Sequence, residues 1–255
     1  MAKIIFMIHG MMCGGWVWDN YKEYFEARGY KCVCPTLRYH DLGPDGLPDS
    51  RLGTASLLDY TGDLESEIKK LSQPPIIMGH SMGGLLAQIL GARGLADALV
   101  LLAPAPPHGI SMLKLSVLKC IPGSFLRWGC WRRPLKLPFA KAAYAIYNRM
   151  PAEEQRELYS RMVYESGRAV AEIALSLFDE RGAARVDQAR VKCPVLVIAG
   201  REDRITPAGV VAKIAGKYGD MATCQEFANH AHWVLGEPGW EEIAEYVHGW
   251  LKRKA

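Results

Sequence analysis

Short apolar runs punctuate the chain at residues 3–8, 31–34, 76–79, 98–103 and 195–200, with a weaker one at 223–227. Each is rich in Val, Ile, Leu or Met, and continuous runs of this length suit strands covered on both faces. Amphipathic stretches lie between them. Residues 17–27 set Val17, Tyr21, Tyr24 and Phe25 on one side. Residues 57–71 set Leu57, Leu58, Thr61, Leu64, Ile68 and Leu71 on one face, with Asp, Glu and Lys opposite. Residues 83–92, 210–218 and 241–251 complete the series. Strand then helix, repeated, predicts an α/β fold: a mostly parallel sheet of about six strands with helices on both faces.

The alternation breaks from residue 108 to about 190. This stretch is helical and basic in character, contains no strand-like run, and is cut into short pieces by Pro122, Pro134, Pro138 and Pro151. We read it as a helical insertion between two strands, placed over the strand ends that carry the site, with residues 1–107 and 191–255 forming the core. Residues 41–50, rich in Pro and Gly, read as a surface loop. The chain has 255 residues, of which 49% are hydrophobic and 23% charged. That balance is globular, and the length fits one α/β domain with an insertion. No apolar run approaches the ~18 residues of a membrane span. Residues 1–8 lack a charged start followed by a small-residue cleavage site, so they read as a buried strand rather than a signal peptide.

Seven cysteines, an odd number spread along the chain, are expected as reduced thiols in a cytoplasmic protein. Cys32-Val33-Cys34 has no partnering Cys/His pair, so no metal site is expected. The formal net charge of +4 is unevenly placed. No acidic residue occurs between Asp97 and Glu153, and residues 108–190 carry fourteen basic residues against eight acidic ones. The basic surplus therefore belongs to the insertion.

The strongest local signal is Gly79-His80-Ser81-Met82-Gly83-Gly84, which follows an apolar run and opens a helical one. Gly-x-Ser-x-Gly between strand and helix is a nucleophile elbow. The serine sits in a strained turn that lifts its oxygen out of the sheet, and side chains two positions either side would collide. The following helix points amide donors at the site. A serine hydroxyl needs a base, and the base an orienting acid. In this architecture they follow in the order Ser, acid, His. The next strand after the insertion leaves through Arg201-Glu202-Asp203-Arg204, and Asp203 is favoured over its solvated neighbour Glu202. In Asn229-His230-Ala231-His232-Trp233 we favour His232 as the base, with His230 as the alternative. His40, His108 and His248 read as surface residues or satisfied loop histidines. The oxyanion donors are expected from the backbone amides of Met82 and Met11, the latter in the glycine loop His9-Gly10-Met11-Met12-Cys13-Gly14-Gly15-Trp16. Cys13 is a rival nucleophile with no acid–base pattern near it.

Over nearly its whole length the chain resembles the α/β-hydrolase superfamily, through His9-Gly10 with its glycine loop, Gly79 to Gly83, and Asp203 with His232. The run from His9 to Trp18 resembles the opening of the plant methyl-ester esterase and hydroxynitrile lyase branch. The family's sheet usually has eight strands. This chain starts at the strand before the glycine loop, so the leading hairpin is expected to be missing. The lyases carry a lysine directly after the catalytic histidine, where this chain has Trp233. Dehalogenases and epoxide hydrolases use an aspartate where this chain has Ser81. Both departures point to ester-type hydrolysis.

The resemblance implies that residues 108–190 form a cap over the active site. Its apolar residues, among them Met112, Leu113, Val117, Phe125, Trp128 and Trp131, are mixed with cations. They fit a lid with solvated lysines, or one attracting an anionic substrate or membrane surface. Met12, Trp16 and Trp233 are candidates for an apolar substrate pocket, or ordinary core residues. The expected protein is a Ser-His-Asp hydrolase of a carboxylic ester, thioester or lactone. It needs no cofactor, binds no nucleic acid, and is a monomer or homodimer. Carbon–carbon bond hydrolysis, perhydrolysis or slow-turnover ligand binding remain open.

Overall fold

A computed structural model describes residues 2–41, 43, 46–111 and 114–254. Three residues of the expected surface loop, 42, 44 and 45, and the insertion's Met112 and Leu113 lie outside that set. In chain order the elements of the first half are β1 (Ile4–Ile8), α1 (Asp19–Glu26), β2 (Lys31–Val33), α2 (Leu57–Ile68), β3 (Ile76–His80), α3 (Met82–Ala92) and β4 (Ala98–Leu102). The insertion contributes α4 (Leu115–Cys120), β5 (Pro134–Leu135), α5 (Phe139–Ala145), α6 (Ala152–Ser160), β6 (Glu165–Ser166) and α7 (Gly167–Ala174). The chain returns through β7 (Val195–Gly200), α8 (Ala208–Gly216), β8 (Ala222–Phe227) and α9 (Trp240–Lys254).

The main sheet is six-stranded and wholly parallel, in the order β2-β1-β3-β4-β7-β8. Strand side chains alternate between its faces. Phe6, Ile8, Ile77, Leu99, Leu101, Val195 and Val197 join α2, α3 and α8 in one core cluster. Ile5, Met7, Ile76, Met78, Val100, Leu196 and Ile198 join α1 and α9 in the other. This is why the strand runs are apolar at every position rather than at alternate ones. From β1 the chain first moves outward to β2, then crosses back to β3 on the other side. The crevice beyond the carboxyl ends of β1 and β3 is therefore the switch point where ligands bind in open parallel sheets.

The insertion differs from its sequence-based reading in one respect. It contains a strand pair, β5 antiparallel to β6 with Leu135 opposite Glu165. Each strand is only two residues long, too short to leave a periodic signal. Two fully or nearly buried carboxylates tie this region to the core. Glu172 of α7 accepts from the Leu57 amide (2.8 Å) and the Ser56 hydroxyl (2.8 Å) at the start of α2, and pairs with Arg168 at 2.9 Å. Glu165 is described below.

Candidate active site

The turn between β3 and α3 holds Ser81 at φ 52°, ψ −120°. Side-chain-bearing residues rarely adopt this conformation. Its neighbours must be glycine. A Cβ on Gly79 would sit 2.2 Å from the Gly83 carbonyl oxygen, and one on Gly83 would sit 2.1 Å from that of Ile8 in β1. The absence of side chains lets α3 pack onto β1 and β3 at backbone contact. The Met82 amide lies in the first turn of α3, where amides have no acceptor within the helix. Gly10 brings the loop after β1 alongside: a Cβ there would lie 3.0 Å from the Ser81 Cβ.

His9 shapes that loop rather than reacting. Its Nε2 accepts from the Leu37 amide at 3.0 Å, and its Nδ1 donates to the Gly10 carbonyl at 2.7 Å. Burial pushes its pKa down to about 3, helped by the neighbouring His40, so the ring is neutral.

The loops that carry Asp203 and His232, the candidate acid and base, are adjacent and sewn together. The Arg201 amide donates to the Phe227 carbonyl (3.0 Å) and the Glu202 amide to the His230 carbonyl (2.9 Å). Gly200 permits the approach, since a Cβ there would lie 2.2 Å from the Ala231 carbonyl oxygen. Asp203 Oδ2 lies 2.7 Å from His232 Nδ1. Its Oδ1 accepts from the amides of Ile205 (2.7 Å) and Thr206 (2.8 Å), and the Thr206 hydroxyl stands 2.7 Å from Oδ2. Burial disfavours the Asp203 carboxylate, but the adjacent His232 and these hydrogen bonds outweigh it and hold its pKa below the ordinary value.

His232 and Ser81 line one cavity of about 190 Å³, together with Gly10, Met11 and Met12. The insertion supplies its other wall, including Val117, Phe125, Leu137, Ile146, Val170 and Ile173. The lining is almost wholly apolar, and among the described residues no Asp, Glu, Lys or Arg contributes to it. His80 also faces this cavity. Its Nε2 donates to the His232 carbonyl at 2.8 Å, and Nδ1 has no partner among the described residues. Burial, with His232 close by, lowers its pKa to about 3.

The neighbouring candidates are placed elsewhere. Glu202 is exposed and pairs with Arg149 at 2.9 Å. His230 is buried against Glu237 at 3.0 Å, away from the cavity lining. Burial, with the Glu165 charge, pushes the Cys13 thiol up to about 12, so it supplies no thiolate at neutral pH. Met12 and Trp233 line the cavity, but Trp16 does not. The 3-10 turn Gly15–Trp18 carries Trp16 behind Trp233, with ring centroids 6.1 Å apart, into a separate surface cleft beside Arg161. His40 is not a surface residue: it is buried and bonded to Glu165.

Thr206 escaped the sequence reading although Asp203-x-x-Thr206 is a turn signature that could have found it. Glu165, Tyr60 and His40 had no local signal. Among the described residues no group of three or more His, Cys, Asp or Glu is arranged to hold a metal, and no helix is long and apolar enough to cross a membrane.

Residues 5–245 match the model of the alpha/beta hydrolase family, and the chain belongs to that family. A pyrethroid hydrolase from Sphingobium wenxiniae is 31% identical over 80 residues, and salicylic acid-binding protein 2 of Nicotiana tabacum is 35% identical over 86. These matches span 31% and 33% of this chain, and only 27% and 32% of the two relatives' lengths. Among solved structures, an Arabidopsis methylesterase superposes with a TM-score of 0.72 at 15% identity, covering 98% of this chain and 99% of the other. Tomato methylketone synthase I, in complex with 2-tridecanone, gives 0.72 at 12% identity with full coverage of both chains.

Proposed function

We propose that this protein is a serine hydrolase that cleaves a carboxylic ester, thioester or lactone of a compact apolar molecule through an acyl-enzyme. The observation that carries the reading is the 2.7 Å bond from Asp203 to His232 at a cavity that also presents Ser81. His232 takes the Ser81 proton through Nε2 as the oxygen attacks the carbonyl carbon. The amides of Met11 and Met82 hold the resulting oxyanion, and His232 returns the proton to the leaving group. Water then releases the acid by the same steps. Asp203 keeps the imidazole proton on Nδ1. Residues 108–190 act as the cap that selects the substrate. The hydrolase and methylesterase among the chain's relatives support ester chemistry. The reaction needs no cofactor, and we place the enzyme in the cytoplasm as a monomer or homodimer.

The cavity sets the substrate class. Its volume is about 190 Å³, and its described lining offers no charged partner. Common small-molecule sites start at roughly 300 Å³, so this one is small. Among p-nitrophenyl esters, short neutral acyl groups are expected to give the highest kcat/KM, and a fluorophosphonate is expected to label Ser81. Folded protein that resists labelling would overturn the reading in favour of ligand binding. Labelled protein that turns over no ester but cleaves a carbon–carbon bond or forms a peracid would move the chemistry, not the site.

A second reading concerns where the enzyme works. Seven of nine large apolar side chains exposed among the described residues belong to the insertion. Leu115, Leu118 and Ile121 lie on or beside α4, and Leu175, Leu177 and Phe178 follow α7. Other residues of both helices line the cavity, and Lys114, Lys119 and Arg127 of the same segment are exposed. Apolar burial with cationic attraction is how proteins rest on anionic lipid. Vesicles of phosphatidylcholine with phosphatidylglycerol are expected to co-sediment the protein at low salt, and less so at high salt or without the anionic lipid. Equal absence from all vesicles would leave these exposed side chains as a solvated face.

A further inference from the structure

Met12, one residue beyond the oxyanion donor Met11, is held almost entirely by the insertion. Its amide donates to Glu165 Oε2 at 3.2 Å, and its carbonyl accepts from the Val163 amide at 3.0 Å. The Leu137 amide points to its sulfur at 3.4 Å. All three partners come from residues 108–190. Met12 has φ 61°. A residue with a side chain holds this left-handed conformation only when its surroundings impose it.

Glu165 is built to impose it. The side chain is fully buried and both oxygens are occupied. Oε1 accepts from the Tyr60 hydroxyl (2.8 Å) and the Ser166 amide (2.7 Å), and Oε2 from Met12 and from His40 Nε2 (3.1 Å). His40 Nδ1 lies 2.9 Å from the Arg38 carbonyl, so both ring nitrogens face acceptors and the ring carries two protons. An imidazolium against a carboxylate leaves the buried pair neutral. Four donors fix the carboxylate in space. A purely structural ion pair needs no bond to residue 12, yet one is made.

We propose that Glu165 is a positioning residue of the oxyanion hole: from the cap it clasps Met12 in its left-handed conformation and thereby aims the Met11 amide at Ser81. Freed from Glu165, residue 12 relaxes towards negative φ and re-aims the peptide planes beside it. The cap is then part of the machinery that stabilises the transition state, besides being a lid. This rests on the serine hydrolase reading above, and the test separates the two.

The test is saturation kinetics of Ser81 phosphonylation by a fluorophosphonate, read as kinact and KI beside the melting temperature. If the wild-type protein is not labelled, the hydrolase reading has failed. If it is labelled, Glu165→Met, which keeps the volume and removes both acceptors, is expected to lower kinact by at least about tenfold with KI within about threefold. This is part of the 10²–10³ that losing an oxyanion donor typically costs. Glu165→Gln can still offer an oxygen to Met12, and is expected to recover kinact to within about threefold of wild type with a lower melting temperature. Should Glu165→Met not fold, Glu165→Asp decides: it keeps a charge for His40 but withdraws the oxygen from Met12, and is expected to lose kinact similarly. A folded Met or Asp variant with unchanged kinact overturns the proposal, as does a rise in KI alone.

Discussion

Replacing Asp203 by Asn is expected to lower ester turnover by about 10⁴ while the fold and KM stay close to wild type. The size follows from triads in which the same change leaves geometry intact but fixes the wrong tautomer. Here the local structure dictates which way the new amide turns. Oδ1 is held by two backbone donors, Ile205 and Thr206, which only an oxygen can satisfy. The amide nitrogen must therefore occupy the Oδ2 position, 2.7 Å from His232 Nδ1, with the Thr206 hydroxyl free to turn and accept from it. An N–H facing Nδ1 drives the imidazole proton to Nε2, the atom that has to receive the Ser81 proton. The measurement is kcat for the best p-nitrophenyl ester, with the melting temperature as control. A loss below about tenfold in a folded variant would mean that Asp203 does not set the tautomer.

Ser81→Ala is expected to remove at least about 10³ of turnover, and as much as about 10⁶ by the standard of single triad knock-outs. The substitution is unusually clean. The serine side chain makes no capping bond to α3, so the hydroxyl is not needed to start the helix. Alanine also inherits the same backbone strain at φ 52° as serine bears. The melting temperature is expected to move little. Active-site titration and ester turnover together check the result, and a folded Ser81→Ala protein that keeps most of its activity would remove Ser81 from the chemistry.

The sheet was legible in the chain because its four inner strands, β1, β3, β4 and β7, are built largely from apolar residues and are buried along their whole length. β8 was the weakest signal, and the structure explains it. Like β2 it is an edge strand, and Thr223, Gln225 and Glu226 are left partly or fully exposed. The elbow was legible because its glycines are dictated by backbone contacts within a few residues and with β1. That Asp203 and His232 meet was legible because strand order fixes where their loops fall. What sequence could not supply was contact across long separations. Glu165 lies 153 residues from Met12 and 125 from His40, and nothing in its neighbourhood marks a carboxylate with four donors waiting elsewhere. Trp16 was misplaced for a similar reason. Closeness to the glycine loop does not reveal that a 3-10 turn rotates the indole behind Trp233.

Residues 108–190 leave the sheet after β4 and rejoin it at β7, and these strands are immediate neighbours. The two ends of the segment even share a backbone bond, His108 amide to Ala184 carbonyl at 2.8 Å. A segment that starts and ends at neighbouring strands can change without altering the strand order of the sheet. The hold on Met12 restricts that freedom. A foreign segment grafted here keeps Ser81 beside it but not the acceptor for the Met12 amide. On the oxyanion-hole proposal above, recombined segments that fit the pocket are expected to give well-folded yet sluggish chimaeras unless the carboxylate travels with them.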